Sequence, residues 1–198
     1  MVTIESVTSW AELEETIRQT PLLQDSDIHP YEDATIALRS FSYDQVRTTS
    51  LYVARNLLRV QKLIADDIAP EGYDPLELDC GLVLGSTDEN NKPISVGFVP
   101  PIVEETDQEG PYLLDGSHRT NQGRWLGKSA FTAIHISDIR PDCPAYALPN
   151  EWSDVRIYDT VPGDPALRKK YRQDRNIYAL YRNFEPLNGS TPRPERNA

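Results

Sequence analysis

Tyr112-Leu113-Leu114-Asp115-Gly116-Ser117-His118-Arg119-Thr120-Asn121-Gln122-Gly123-Arg124-Trp125-Leu126-Gly127 reads as a strand, a tight turn and a short helix. Tyr112 to Leu114 is a compact apolar run suited to a strand. Gly116 lets the backbone approach a ligand with no side chain in the way. The helix is predicted over about His118 to Leu126, closed by Gly127. Its first turn presents unpaired N–H groups and the positive end of the macrodipole. Ser117 adds a hydroxyl, His118 a ring donor and Arg119 a planar fork suited to phosphate, so the parts make an anion site. Asp115, at the strand end, is placed to hold a divalent cation or to accept a proton. The same residue types also fit a plain capped helix, with Asp115 or Ser117 as the cap and Arg119 in a surface pair.

Working outward, Ser95 to Glu105 reads as a strand broken by Pro100 and Pro101, which cannot donate to a ladder. Phe131 to Ile136 alternates as another strand, and Thr35 to Phe41 as a third. Leu57, Val60, Ile64 and Ile68 recur at helical spacing and predict a helix over Val53 to Ile68, ended by Pro70 and Gly72. Leu76 to Leu84 suits a strand or a turn of helix. A peripheral helix is predicted from Trp10 to Thr20, because Ser9 and Glu12 have capping-box spacing and Pro21 follows. A last helix is predicted from Asp164, a natural N-cap followed by Pro165, to Phe184, with a loose tail from Glu185. Its basic run, Arg168, Lys169, Lys170, Arg172 and Arg175, reads as a solvated face, and Tyr171, Tyr178 and Tyr181 as anchors to the core.

Composition narrows the function classes. In 198 residues, 38% are hydrophobic and 26% charged, which suits a globular protein with a real core. No apolar run approaches the roughly 20 residues needed to span a bilayer, and no basic start precedes an apolar stretch, so a cytoplasmic protein without membrane contact is expected. Cys80 and Cys143 cannot form a disulfide framework or a zinc site by themselves. The net charge of −11 is uneven: residues 1–115 hold 22 acids and 7 bases, and residues 116–198 hold 9 acids and 13 bases. An acidic front half repels a DNA backbone, so nucleic acid is not the expected partner, whereas the basic half suits a small polyanion.

The central segment resembles the ParB/sulfiredoxin superfamily, in which a strand ending in a glycine turn leads into a helix that begins with an arginine. Asp115-Gly116-Ser117-His118-Arg119 is most similar to the Asp-Gly-x-His-Arg form of the free serine kinases of that fold. Val99-Pro100-Pro101-Ile102-Val103 resembles the family's Pro-Ile-x-Val strand, Arg59 to Ile64 the helix before it, and Val46-Arg47 the arginine ahead of that helix. The resemblance covers about residues 35–137. It implies an α+β fold with a small mixed sheet and flanking helices. Residues 1–34 become an N-terminal helical extension, and 138–198 a C-terminal wrap, helix and tail packed on the same domain.

The resemblance also implies ATP or another nucleotide as ligand, with magnesium, and a kinase-like phosphoryl transfer or hydrolysis on a small hydroxyl-bearing substrate. Gly116, Ser117, His118, Arg119 and Thr120 would bind the phosphates, with Arg47 and Arg59 as secondary contacts. Asp115, His118 and Arg119 would carry the chemistry, and Asp115 would hold the metal. The alternative is a non-catalytic module that senses nucleotide or binds DNA. Departures limit the transfer. Ser117 replaces the sulfiredoxin cysteine, and Thr48 and Thr49 stand where the serine kinases have a His-Glu pair, unless Glu32 folds back to serve. Gln122 stands where the family has alanine, with Gly123 beside it to permit close packing. No helix-turn-helix module follows residue 137.

Overall fold

The computed structural model describes residues 2–87, 92–172 and 176–188. Twelve strands are formed among these residues: β1 (Thr3–Thr8), β2 (Thr35–Ser42), β3 (Arg47–Thr48), β4 (Tyr52–Ala54), β5 (Gly81–Thr87), β6 (Pro93–Phe98), β7 (Ile102–Thr106), β8 (Gly110–Asp115), β9 (Ala130–Ser137), β10 (Ala147–Leu148), β11 (Arg156–Tyr158) and β12 (Lys170–Tyr171). The helices are α1 (Trp10–Arg18), α2 (Arg55–Ile68), α3 (Ser117–Trp125) and a single turn, α4 (Glu185–Asn188). The fold is α+β, as the resemblance implies.

A five-stranded mixed sheet in the order β2-β9-β7-β8-β3 forms the centre. β2 and β9 pair antiparallel along eight residues without a slip, from Thr35 beside Ser137 to Ser42 beside Ala130. β7 runs parallel to β9 and antiparallel to β8, and β3 closes the sheet parallel to β8. A smaller antiparallel sheet, β1-β5-β6, lies beside it. Pro100 and Pro101 mark the place where the chain leaves one sheet for the other. Without N–H groups they end the β6 ladder, and the Pro101 carbonyl opens the next by accepting from the Ile134 N–H at 2.8 Å.

Alternation along the strands sends residues to opposite faces of the central sheet. Ile36, Ile102, Ile134 and Ile136 pack with Leu13 and Ile17 of α1. Val103, Leu113, Phe131 and Ala133 pack with Phe41, Leu76 and Trp152 on the other side. The α1 start follows its sequence signature. Ser9 Oγ accepts from the Glu12 N–H, and the Glu12 carboxylate accepts from the Ser9 N–H at 2.9 Å, closing the capping box.

The C-terminal region departs from expectation. Asp164 does cap a turn, its Oδ1 accepting from the Ala166 N–H at 2.9 Å, but the turn is a 3-10 segment, Pro165–Leu167. Among the described residues no helix continues from it to Phe184: β12 pairs with β10, and a second 3-10 segment covers Ile177–Leu180. The reason is competition for backbone partners. The Arg168 carbonyl accepts from the Leu51 N–H at 2.8 Å, the Arg172 N–H donates to the Tyr146 carbonyl at 3.2 Å, and the Asn183 N–H donates to the Pro21 carbonyl at 2.8 Å. Distant segments thus take groups that a helix would pair internally. Arg175 of the basic run lies outside the described residues, as does the tail beyond Asn188. Of the segment from Glu185 expected to be loose, the described part is held: Leu187 of α4 is buried in the core. The N-terminal extension likewise holds a strand, β1, paired with β5, besides its helix.

The same C-terminal segment sends Arg182 into the centre of the molecule. Its side chain and that of Glu104, on β7, are fully shielded from solvent, with Nε donating to Glu104 Oε1 at 3.0 Å. The Tyr31 hydroxyl donates to Glu104 Oε1, and the Tyr112 hydroxyl to Oε2 at 2.9 Å. Nη2 also donates to Glu104 Oε2 at 3.3 Å, and the carbonyls of Pro144, Leu180 and Cys143 take the other guanidinium N–H groups at 2.7 to 3.2 Å. Burial, reinforced by the Glu104 charge, raises both tyrosine pKa values, so both hydroxyls stay protonated donors.

Gly123 explains the close packing of α3. A Cβ there would lie 2.2 Å from Leu76 Cδ1 and 2.9 Å from Tyr43 Oη. Overpacking a core costs about 1–3 kcal/mol and alanine returns at most about 1 kcal/mol of helix propensity. Gly123→Ala is therefore expected to lower stability by up to about 2 kcal/mol in urea unfolding, and a stabilised variant would contradict this packing.

Candidate functional site

β8 ends at Asp115, and Gly116 turns the chain into α3 with φ 87° and ψ 13°, the left-handed region that favours glycine. A Cβ at Gly116 would stand 3.0 Å from Pro101 Cβ and 3.1 Å from Arg119 Nε, so space as well as backbone selects glycine. Among the described residues, no side chain caps α3, which leaves its first N–H groups without a capping partner beside a cleft of about 620 Å³. Leu57, Val60 and Ile64 of α2 and Ile94 and Val96 of β6 give this cleft apolar walls, and Asp115 to Arg119 give it a polar end. A phosphate-sized anion fits the polar end, and an apolar or aromatic group fits between the walls.

Arg119 is 7% exposed and lies beneath the cleft. Its guanidinium stacks over Phe98, 4.6 Å from the ring centre, and Nη2 donates to the Val99 carbonyl. Nε and Nη1 are buried without a partner. Burial pulls its pKa down to about 10, with the Asp115 charge opposing, so the group remains a cation at neutral pH. A buried cation with unspent donors is costly unless an anion completes it.

His118 borders the cleft with one ring nitrogen already engaged. Its Nε2 is 3.2 Å from the Ala54 N–H, the residue that precedes α2, and must accept. Its ring proton therefore sits on Nδ1. Burial pushes its pKa down to about 4, against the pull of Asp115, so it is neutral at pH 7. The ring packs edge-on to Tyr52 at 5.6 Å. His118 thus joins the starts of α2 and α3, and any contact with a phosphate falls to Nδ1–H.

The other expected residues are not all brought together. Thr120 is buried, with its hydroxyl turned back onto the Gly116 and Ser117 carbonyls at 3.1 and 3.2 Å. Arg47 sits beside Tyr112 of β8 and donates to the Glu109 carbonyl in the β7–β8 turn. Arg59 is exposed on α2 and does not border the cleft, and neither does Glu32. Register explains Arg47: it pairs with Tyr112 in the middle of β8 and its side chain reaches back to Glu109, whereas the anion site follows Asp115 at the strand's end. Asp115 is the carboxylate that borders the cleft among the described residues. They form no cluster of three or more histidine, cysteine, aspartate or glutamate side chains that could hold a metal. One carboxylate together with nucleotide oxygens suits magnesium, which keeps several of its waters. Asp115 fits that part.

Sequence reasoning missed Gln61 and Phe98. Val60 and Ile64 also change meaning. Their helical spacing suggests a core face, but of α2 only Ile68 is buried, and Val60 is 47% exposed in the cleft wall. An apolar stripe carries the same periodicity whether it meets the core or a ligand.

A family model of the ParB CE domain matches residues 12–156. The chain belongs to the ParB CE domain family. No curated protein and no solved structure matches it. The matched residues of this ParB CE domain include α1 from Glu12 onward, the central sheet, both helices of the cleft and the start of β11. Arg182 lies beyond them, although its partners Tyr31 and Glu104 lie inside. No helix among the described residues is long and apolar enough to cross a membrane.

Proposed function

We propose that this ParB CE domain binds a nucleotide in the cleft between α2, β6 and α3. The phosphates rest on the first turn of α3, from Gly116 to Arg119, and the base and sugar lie between the aliphatic walls. The observation that carries this reading is Arg119, a nine-tenths buried cation with two unspent nitrogen donors at an uncapped helix N-terminus. The bound nucleotide supports phosphoryl transfer or hydrolysis. A hydroxyl or water oxygen bonds to the terminal phosphorus as the bond to the bridging oxygen breaks. Asp115 takes the released proton, and the nucleoside diphosphate leaves. Catalysis of this kind is mainly positioning and charge stabilisation, which Arg119 and the helix N–H groups provide. Magnesium supplied with the nucleotide would neutralise phosphate charge beside Asp115.

A second reading is a nucleotide-sensing module without chemistry. It draws on Asp115 as the lone carboxylate among the described residues of the cleft, and on the commitment of His118 Nε2 to the Ala54 N–H. Thermal unfolding with ATP, ADP, CTP and GTP, with and without magnesium, tests both. A ligand at a hundredfold excess over its Kd adds about 2.7 kcal/mol, roughly 5–10 °C for a chain of this length. At least one nucleotide is expected to give such a rise. No shift with any of them overturns nucleotide binding. A shift with no phosphate release or substrate modification over hours selects the sensing module.

A further inference from the structure

Three buried side-chain atoms without a hydrogen-bond partner stand in one wall of the molecule: Arg119 Nε, Arg119 Nη1 and Gln61 Oε1. Both side chains border the 620 Å³ cleft, and both border a second cleft of about 490 Å³ on the far side, lined also by Tyr73, Leu76 and Gln122. Gln61 and Arg119 therefore form the partition between the two. The unspent groups are complementary, two donor nitrogens and one acceptor oxygen. Buried polar groups are paired in the great majority of cases, so this concentration calls for a bound state that uses them.

We propose that Gln61 is a positioning residue of the anion site, a role that rests on the nucleotide-binding reading. When a polyphosphate occupies the start of α3, Arg119 gives one free N–H to a phosphate oxygen and another to Gln61 Oε1. The second bond holds the planar guanidinium at the angle the phosphate needs. In the free protein the two groups stay unpaired, which is a stability cost accepted for binding. Gln61 lies on the second turn of α2, and His118 ties the start of α2 to α3, so the register of the two helices places it there.

Gln61→Met tests this, because methionine keeps the length of the side chain and removes its polar atoms. The probes are ATP, CTP, GTP and inorganic tripolyphosphate, titrated calorimetrically. The free variant is expected to melt at the same temperature or higher, because a buried unpartnered oxygen is gone. Its Kd for the tightest nucleotide and for tripolyphosphate is expected to rise about tenfold. In an Arg119→Met background, adding Gln61→Met is expected to change binding no further. An unchanged Kd in the single variant overturns the proposal while leaving nucleotide binding intact. A lower melting temperature with weaker binding also overturns it, since Gln61 would then serve packing alone. If the unaltered protein binds neither nucleotides nor tripolyphosphate, the nucleotide reading fails and this role fails with it.

Discussion

Arg182→Met is expected to destabilise the protein by about 3–5 kcal/mol, a larger loss than that expected for Gly123→Ala. The guanidinium and the Glu104 carboxylate are both fully shielded from solvent, and protein groups take the hydrogen bonds around them. Removing the cation leaves Glu104 with only the Tyr31 and Tyr112 hydroxyls as hydrogen-bond partners in a dry interior. The carbonyls of Cys143, Pro144 and Leu180 lose their donor as well. Breaking one side of a buried pair costs more than the pair itself contributes, because an uncompensated charge remains. Adding Glu104→Gln to Arg182→Met removes that charge and is expected to recover part of the loss. Urea unfolding of the native chain and the two variants measures this. A loss under about 1 kcal/mol for Arg182→Met would show that the C-terminal segment is not clamped through this pair.

Arg119→Met is expected to weaken nucleotide binding by about 10- to 150-fold, the worth of one charge-assisted hydrogen bond or more, with stability changed by less than about 1 kcal/mol. The native guanidinium contributes its bond to the Val99 carbonyl and its stacking on Phe98. Those gains are offset by the burial of a cation with two unpartnered nitrogens. Methionine retains the stem and a favourable sulfur contact with the Phe98 ring. Calorimetric titration of the nucleotide and a melting curve of the free variant separate the two quantities. Collapse of the fold would assign Arg119 to stability instead, and unaltered affinity would remove it from the site. Arg119→Lys is expected to restore only part of the binding, because lysine keeps the charge but not the planar fork.

The candidate anion site is legible in the sequence because its geometry is local. Asp115, Gly116, Ser117, His118 and Arg119 are consecutive, so strand, left-handed turn and helix start set their relative positions. The capping box of Ser9 and Glu12 is legible for the same reason. Contacts across the fold are not. Arg47 has the chemistry of a phosphate ligand, yet its side chain reaches back to Glu109 before β8, and the Thr120 hydroxyl turns onto its own helix. Gln61 carries no signal, since a polar residue on an amphipathic helix usually faces water. His118 has the residue type of a ligand contact, and only the approach of Ala54 shows that one ring nitrogen is already spent.

The α+β class is implied by the family resemblance, and local patterns in the chain are enough to establish the strand–turn–helix of residues 112–127. They follow from interactions within a few residues: turn chemistry, capping and the periods of strand and helix. The assembled fold was needed to show that Asp164 opens a short turn in place of a long helix and that Val60 and Ile64 line a cleft. It was needed again to bring Arg182 to Glu104 across 78 positions of sequence. Such pairings depend on which strands become neighbours and which backbone groups distant segments claim first. No local pattern encodes that competition.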